Sequence, residues 1–143
     1  MGSTADVVHI LGGARAIGAR GNDEESLLRR IRKGLPYSSY EHVARLLSIS
    51  LQEMGDVLDI PKSTRVRRKQ KLLKQAESDR LVRVATVLAH AHRALGSTED
   101  AATWMRRPNR ALGGETPLGL LDTEIGEQLV EDVLGRLEHG VIG

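Results

Sequence analysis

SLQEMGDVLDIPKSTRVRRKQKLL, residues 50–73, holds two helical signals with a stop between them. Ser50 and Glu53 have the spacing of a capping box, which satisfies the free N–H groups at a helix start. Leu51, Met54 and Leu58 fall together on one face, and Pro61 ends the helix. A second segment follows at once, and from Lys62 to Lys74 every charged residue is basic. A short helix, a turn and a basic helix make the outline of a helix-turn-helix. In that motif the second helix enters the major groove while Lys and Arg neutralise phosphates. On this reading Lys62, Ser63, Thr64, Arg65 and Arg68 lie at the reading end. Arg67, Lys71 and Lys74 form a row at i, i+4 and i+7, and Lys69 adds to the DNA-facing charge. Val66 and Leu73 are left to pack inward. The plainer alternative, a solvated charged face, stays open.

Working outward, the same punctuation recurs. DEESLLRRIRKGLP places acids at its start, bases at its end, Leu27, Leu28 and Ile31 between them, and Gly34 and Pro36 as stops. SSYEHVARLL suggests a box from Ser38 to Glu41, with Tyr40, Val43, Ala44 and Leu47 on one face. ESDRLVRVATVLAHAHRALG predicts a long helix with Leu81, Val84, Ala85, Leu88 and Leu95 along one stripe, ended by Gly96. Ser97 with Asp100 opens another helix, and Thr116 with Pro117 marks a further start. The last helix, DTEIGEQLVEDVLGRLEHG, is expected to bury Ile125, Leu129, Val133 and Leu137. No alternating strand and no internal repeat emerge, so the expected fold is all-α. The division is a flexible segment over 1–22, a helix-turn-helix and dimerisation domain over 23–96, and a small helical domain over 97–143.

Composition narrows the function. Of 143 residues, 40% are hydrophobic and 28% charged, an ordinary globular balance, but only 2% are aromatic. The core is therefore aliphatic, and recognition of nucleic acid by base stacking lacks the rings it needs. The absence of Cys excludes disulfides, thiolate metal sites and a Cys nucleophile, and fits a reducing cytoplasm. No apolar run is long enough for a bilayer, and the start lacks the layout of a signal peptide. Net charge is only +2, yet after Arg110 the chain carries seven acidic residues against Arg136 alone. A basic middle and an acidic end suggest surfaces for different partners.

Signs of chemistry are weak. GGARAIGARG is not a dinucleotide fingerprint, because Arg15 stands where the second Gly belongs, and it reads as a tail. His90 and His92 are two apart on a helix, point away from each other, and read as surface or half-buried residues. Glu124, Gln128, Glu131 and Asp132 form the polar side of the last helix, with nothing to suggest a buried catalytic pair. No catalytic residue, cofactor or metal is expected.

WMRRPNRALGG, Trp104 to Gly114, contains the single Trp, read as a core anchor. Pro108 ends its helix, Asn109 suits a turn, and Leu112 is a short apolar plug before two Gly. The stretch is a helix-to-helix corner, structural or partner-binding. The run from Trp104 through PNRALGGETPLGLLDTEIGEQLVEDVLGRLEHGV resembles the C-terminal domain of the Xre/MbcA/ParS antitoxin family. ESDRLVRVATVLAHAHRALGSTEDAATWM is similar to that family's central helices, and the preceding segment to its Xre-like helix-turn-helix. The likeness covers about residues 38–143.

That resemblance implies a type II antitoxin, which binds and silences a RES-domain toxin that consumes NAD. It implies a C-terminal domain that covers the toxin's active-site entrance, and repression of the operon's own promoter by a homodimer within a toxin–antitoxin hetero-oligomer. Carried to this chain, the toxin-binding candidates are Glu138, His139, Gly140, Val141, Ile142 and Gly143, with Arg107 and Arg110 of the corner. Val141 and Ile142 either cover their own core or fill a partner's pocket. The alternative function is a stand-alone transcriptional regulator whose C-terminal domain only dimerises. A small enzyme with its own nucleotide site is the third and weakest reading.

Overall fold

In a computed structural model the chain is described over residues 3–62, 64–65 and 71–140, and the described residues form eight α-helices and no strand. They are α1 (Thr4–Ile10), α2 (Ala14–Ile17), α3 (Glu24–Lys33), α4 (Tyr37–Leu47), α5 (Leu51–Val57), α6 (Gln75–Leu95), α7 (Thr98–Arg106) and α8 (Glu124–Glu138). The expected all-α fold is what the chain adopts. The 21-residue α6, roughly 30 Å long, is the beam against which α1, α3, α7 and α8 pack. Leu81, Val84, Ala85, Leu88 and Ala91 are completely buried along it, and Gly96 ends it at φ +96°, where only Gly is unstrained.

Capping explains most of the boundaries. Ser50 and Glu53 make the expected reciprocal box at α5, and Ser97 accepts from the Asp100 N–H at the start of α7. At α4 the expected box from Ser38 is absent. The helix begins one residue earlier, at Tyr37, with Pro36 as its N-cap, so Ser38 is already inside it. The face proposed for α4 is correct: Tyr40, Val43, Ala44 and Leu47 are all buried. Met54 and Leu58 are buried as expected, but Leu51, at the first position of α5, is 40% exposed.

The expectation of a flexible segment over 1–22 does not hold for residues 3–22. Ser3 closes a capping box with Asp6, and Val7, Val8, Leu11 and Ile17 enter the common core. Two turns of helix are too short to show a periodic pattern, which is why their apolar residues looked unorganised.

A larger difference concerns α8. Its buried residues are Gly126, Val130, Val133 and Leu134, whereas Ile125 is 77% exposed and Leu129 50%. The cause is local. Thr123 Oγ1 accepts from the Gly126 N–H at 2.9 Å, and Gly126 lies so close to the preceding turn that a Cβ would stand 1.8 Å from the Leu120 carbonyl oxygen. That contact fixes the rotation of the helix. It turns the 126–130–134 row inward and leaves Ile125 and Leu129 facing out.

Candidate DNA-facing and partner-facing surfaces

The turn after α5 is tightly built. The Ile60 N–H reaches back to the Gly55 carbonyl at 2.9 Å, Asp59 takes φ +55°, and Leu58 and Ile60 are buried. Two arginines then clamp the carbonyls of this turn and of α5. Arg80 of α6 donates to Leu58 O at 3.0 Å, and Arg65 donates to Ile60 O at 2.9 Å, Gln52 O at 3.2 Å and Asp56 at 2.8 Å. The Arg65 side chain is 18% exposed and lies directly over Gly55. Arg65 was expected among the residues that read DNA. In the free chain its guanidinium ties α5 and the turn to the start of the basic segment.

Of the other basic-segment candidates, Lys62 and Lys71 are exposed, and the Thr64 hydroxyl donates to Pro61 O at 2.8 Å. Ser63, Arg67, Arg68 and Lys69 lie outside the described residues, as does Val66. Leu73 is buried as expected, and its N–H donates to Leu35 O at 2.8 Å. This bond joins the end of the basic segment to the end of α3. Tyr40 donates to Leu51 O from beneath, and burial, with Tyr37 stacked 4.9 Å away, pushes its hydroxyl pKa up to about 12.

The PNRALGG corner is a closed loop. Arg107 adopts extended backbone, as the residue before Pro108 must. The Asn109 side chain accepts from the Ala111 N–H at 2.9 Å. Its own N–H donates to Glu115 O, and its carbonyl accepts from Gly114, both at 2.9 Å. Gly113 and Gly114 take φ +68° and +87°, and Leu112 plugs the core between them and α8. Thr116 accepts from Gly119, and the expected helix start at Pro117 becomes one 3-10 turn, Leu118–Leu120. Trp104 is only half-buried, so it is less a core anchor than the wall of a cleft of about 380 Å³ between Leu95, Asp100, Arg107 and Pro108. Arg107 and Arg110 are exposed on this corner.

At the far end of α8, His139 and Gly140 are exposed, and 141–143 lie outside the described residues. Glu138 is tied within the chain: its carboxylate sits 3.5 Å from His90 Nε2 and 3.4 Å from Arg93 Nε. Burial acts to raise its pKa, but His90 and Arg93 outweigh that and hold it below the ordinary carboxyl range. His90, expected at or near the surface, is 4% exposed, and its Nδ1 meets Glu131. Glu131 is therefore turned inward and leaves the polar side on which it was placed. Arg83 makes the corresponding tie at the other end of α8, to Leu121 O at 3.1 Å and Glu127 at 3.5 Å. Desolvation raises the Glu127 pKa, partly offset by Arg83.

These ties leave one outward face on α8: Ile125 and Leu129, bordered by Glu124, Gln128, Asp132 and Arg136. Sequence patterning missed it, because Ile125, Leu129, Val133 and Leu137 also fit an inward stripe. The overlooked signal was Gly126 behind Thr123.

Two family models cover most of the chain: the antitoxin Xre-like helix-turn-helix domain over residues 26–85, and the antitoxin Xre/MbcA/ParS C-terminal toxin-binding domain over residues 90–140. An Antitoxin Xre of Yersinia enterocolitica is 32% identical over 130 residues, which span 89% of this chain and 88% of that protein. The chain belongs to the Xre antitoxin family. An Antitoxin Xre of Photorhabdus laumondii is 45% identical over 67 residues, a match covering 46% of this chain and 45% of that protein's length. A protein of a Sphingobium species named Prs ADP-ribosylating antitoxin is 29% identical over 122 residues, 77% of this chain and 76% of its own. For this Xre-family chain the two matched domains are binding domains, not enzymatic ones. Ile125, Leu129 and the PNRALGG corner all fall within the toxin-binding match. Among the described residues no helix is long and apolar enough to cross a membrane.

Proposed function

We propose that this antitoxin silences a RES-domain toxin that consumes NAD, by seating α8 and the PNRALGG corner over the toxin's active-site entrance. The observation that carries the reading is the outward pair Ile125 and Leu129 inside a domain matched as toxin-binding. A solvated helix has no reason to present two large aliphatic side chains one turn apart within an acidic border, and a covering partner does. The partner that fits is apolar at the centre and basic at the rim. Arg107, Arg110, His139, Gly140 and the 141–143 tail complete the proposed contact set, while Glu138 positions α8. The relative named for ADP-ribosylation supports an NAD-using target, since ADP-ribosyl groups are taken from NAD. The functional division lies near Gly96, with the 23–96 part binding the operon's promoter as a homodimer in the cytoplasm and 97–143 holding the toxin.

The test measures NAD loss by the neighbouring toxin with antitoxin in excess. Wild type is expected to stop it. Ile125→Glu with Leu129→Glu, both exposed in the free protein, is expected to keep the fold and promoter binding but weaken protection at least a hundredfold. That figure follows from about 1.5 kcal/mol for each aliphatic side chain buried on docking. Failure of wild type to protect NAD sinks the RES assignment. Full protection by the double variant sinks the α8 surface, and a concurrent loss of the homodimer favours the stand-alone regulator, with this face used for self-association.

A further inference from the structure

The N-terminal segment and α3 enclose a second basic feature, away from the motif's own charged run. A cleft of about 530 Å³ opens between Gly18 and Lys33, and four cations line it: Arg20, Arg29, Arg30 and Lys33. Its two acids are engaged within the wall. Asp23 accepts from the Ser26 hydroxyl, and Glu25 binds Arg29 at 2.6 Å. Arg20 and Lys33 are exposed and make no hydrogen bond or ion pair among the described residues. Arg30 donates once, to Gly34 O at 3.0 Å, and its buried Nε has no partner. Gly18, at φ +74°, brings the chain to where a Cβ would lie 3.5 Å from that guanidinium. Val7, Val8, Leu11 and Ile17 anchor the segment that carries Gly18 and Arg20, so this wall is fixed in place.

We propose that this cleft holds a backbone phosphate of duplex DNA beside the stretch met by the basic segment; the inference rests on the promoter binding proposed above. Cations with unused N–H groups call for an anion. The lining has no aromatic ring on which a base could stack, so the ligand is the phosphodiester backbone and the contact is indifferent to sequence. Position supports the same conclusion. Gly34 and Leu35 directly follow Lys33, and Leu35 O accepts from Leu73, two residues beyond exposed Lys71. Lys33 and Lys71 therefore each stand two residues from one shared backbone hydrogen bond, which brings that end of the cleft close to the end of the basic segment.

The test follows promoter-duplex affinity by fluorescence anisotropy across a salt series, using the full chain. Each phosphate contact contributes about 0.9 to the slope of log K against log salt. Arg20→Ala with Lys33→Ala is expected to flatten that slope by one to two such contacts, equally for promoter and unrelated duplex. Arg106→Glu, which lowers the net charge by the same amount at one exposed position in the C-terminal half, is expected to leave it unchanged. Wild type that binds duplex while the Arg20 and Lys33 variant keeps its slope overturns the cleft alone. Equal flattening by the Arg20 and Lys33 variant and by Arg106→Glu also overturns it, as an effect of net charge. Wild type that binds no duplex at low salt overturns the promoter reading, and the cleft with it.

Discussion

Replacing Gly126 by Ala gives the sharpest test of how α8 is aimed. Inside a helix the change is ordinarily favourable by up to about 1 kcal/mol, because Gly loses more backbone freedom on folding. Here the added methyl would lie 1.8 Å from the Leu120 carbonyl oxygen, 2.9 Å from its carbon and 3.0 Å from Thr123 Oγ1. None of these is the loose end of a long side chain. Relief requires the helix start to move off the Leu118–Leu120 turn, and overpacking of this kind costs about 1–3 kcal/mol. A contact at 1.8 Å belongs in the upper part of that range, about 2–3 kcal/mol. Subtracting about 1 kcal/mol leaves a net loss of about 1–2 kcal/mol, a fall in Tm of roughly 3–8 °C. Gly135, on the same helix, has no atom within 4 Å of its hypothetical Cβ. Gly135→Ala is therefore expected to stabilise by up to about 1 kcal/mol. Urea unfolding followed by far-ultraviolet circular dichroism measures both. A Gly126→Ala protein as stable as wild type would refute the argument that this contact sets the rotation of α8.

Two further expectations come from the ion pairs. Arg65→Ala removes three carbonyl or carboxylate partners of a guanidinium that is 18% exposed, and should cost about 2 kcal/mol. Arg65→Lys cannot span the same partners and should recover less than half of that in thermal melts; loss of DNA binding without loss of stability would return Arg65 to the reading surface. Glu138 has a folded-state pKa below its ordinary 4.5, so its contribution is fully present above that pH and is lost as pH falls through the lower folded value. Glu138→Gln should flatten the acid side of a Tm-against-pH curve, and an unchanged curve would show that His90 and Arg93 do not hold it.

Much of the architecture was legible because helix ends are written in short-range chemistry. Ser50 with Glu53, Gly96 and the Pro108–Asn109 pair each act on neighbours within a few residues, and each appears where the sequence placed it. What stayed hidden depends on contacts distant in the chain. The face of α8 is chosen by Leu120, the role of Arg65 by carbonyls that α5 presents, and the burial of His90 by Glu131, which lies 41 residues away. The N-terminal helices show no pattern on their own because each contributes only a few buried side chains to a core built elsewhere. The candidate sites divide similarly. A charged run suggests a polyanion partner from the sequence alone, with a solvated face as the alternative, whereas Ile125 and Leu129 become meaningful only once the helix beneath them has been oriented.

The two family matches meet between residues 85 and 90, inside α6, and Val87, Leu88, Ala89 and His90 are all buried there. The boundary between the two matched domains thus runs through a buried turn of α6. A hybrid joined at that point, taking its operator from one relative and its toxin from another, would have to match side chains on every side of the splice. If the two halves hold a toxin and a promoter as proposed, neither can be exchanged without repacking the other.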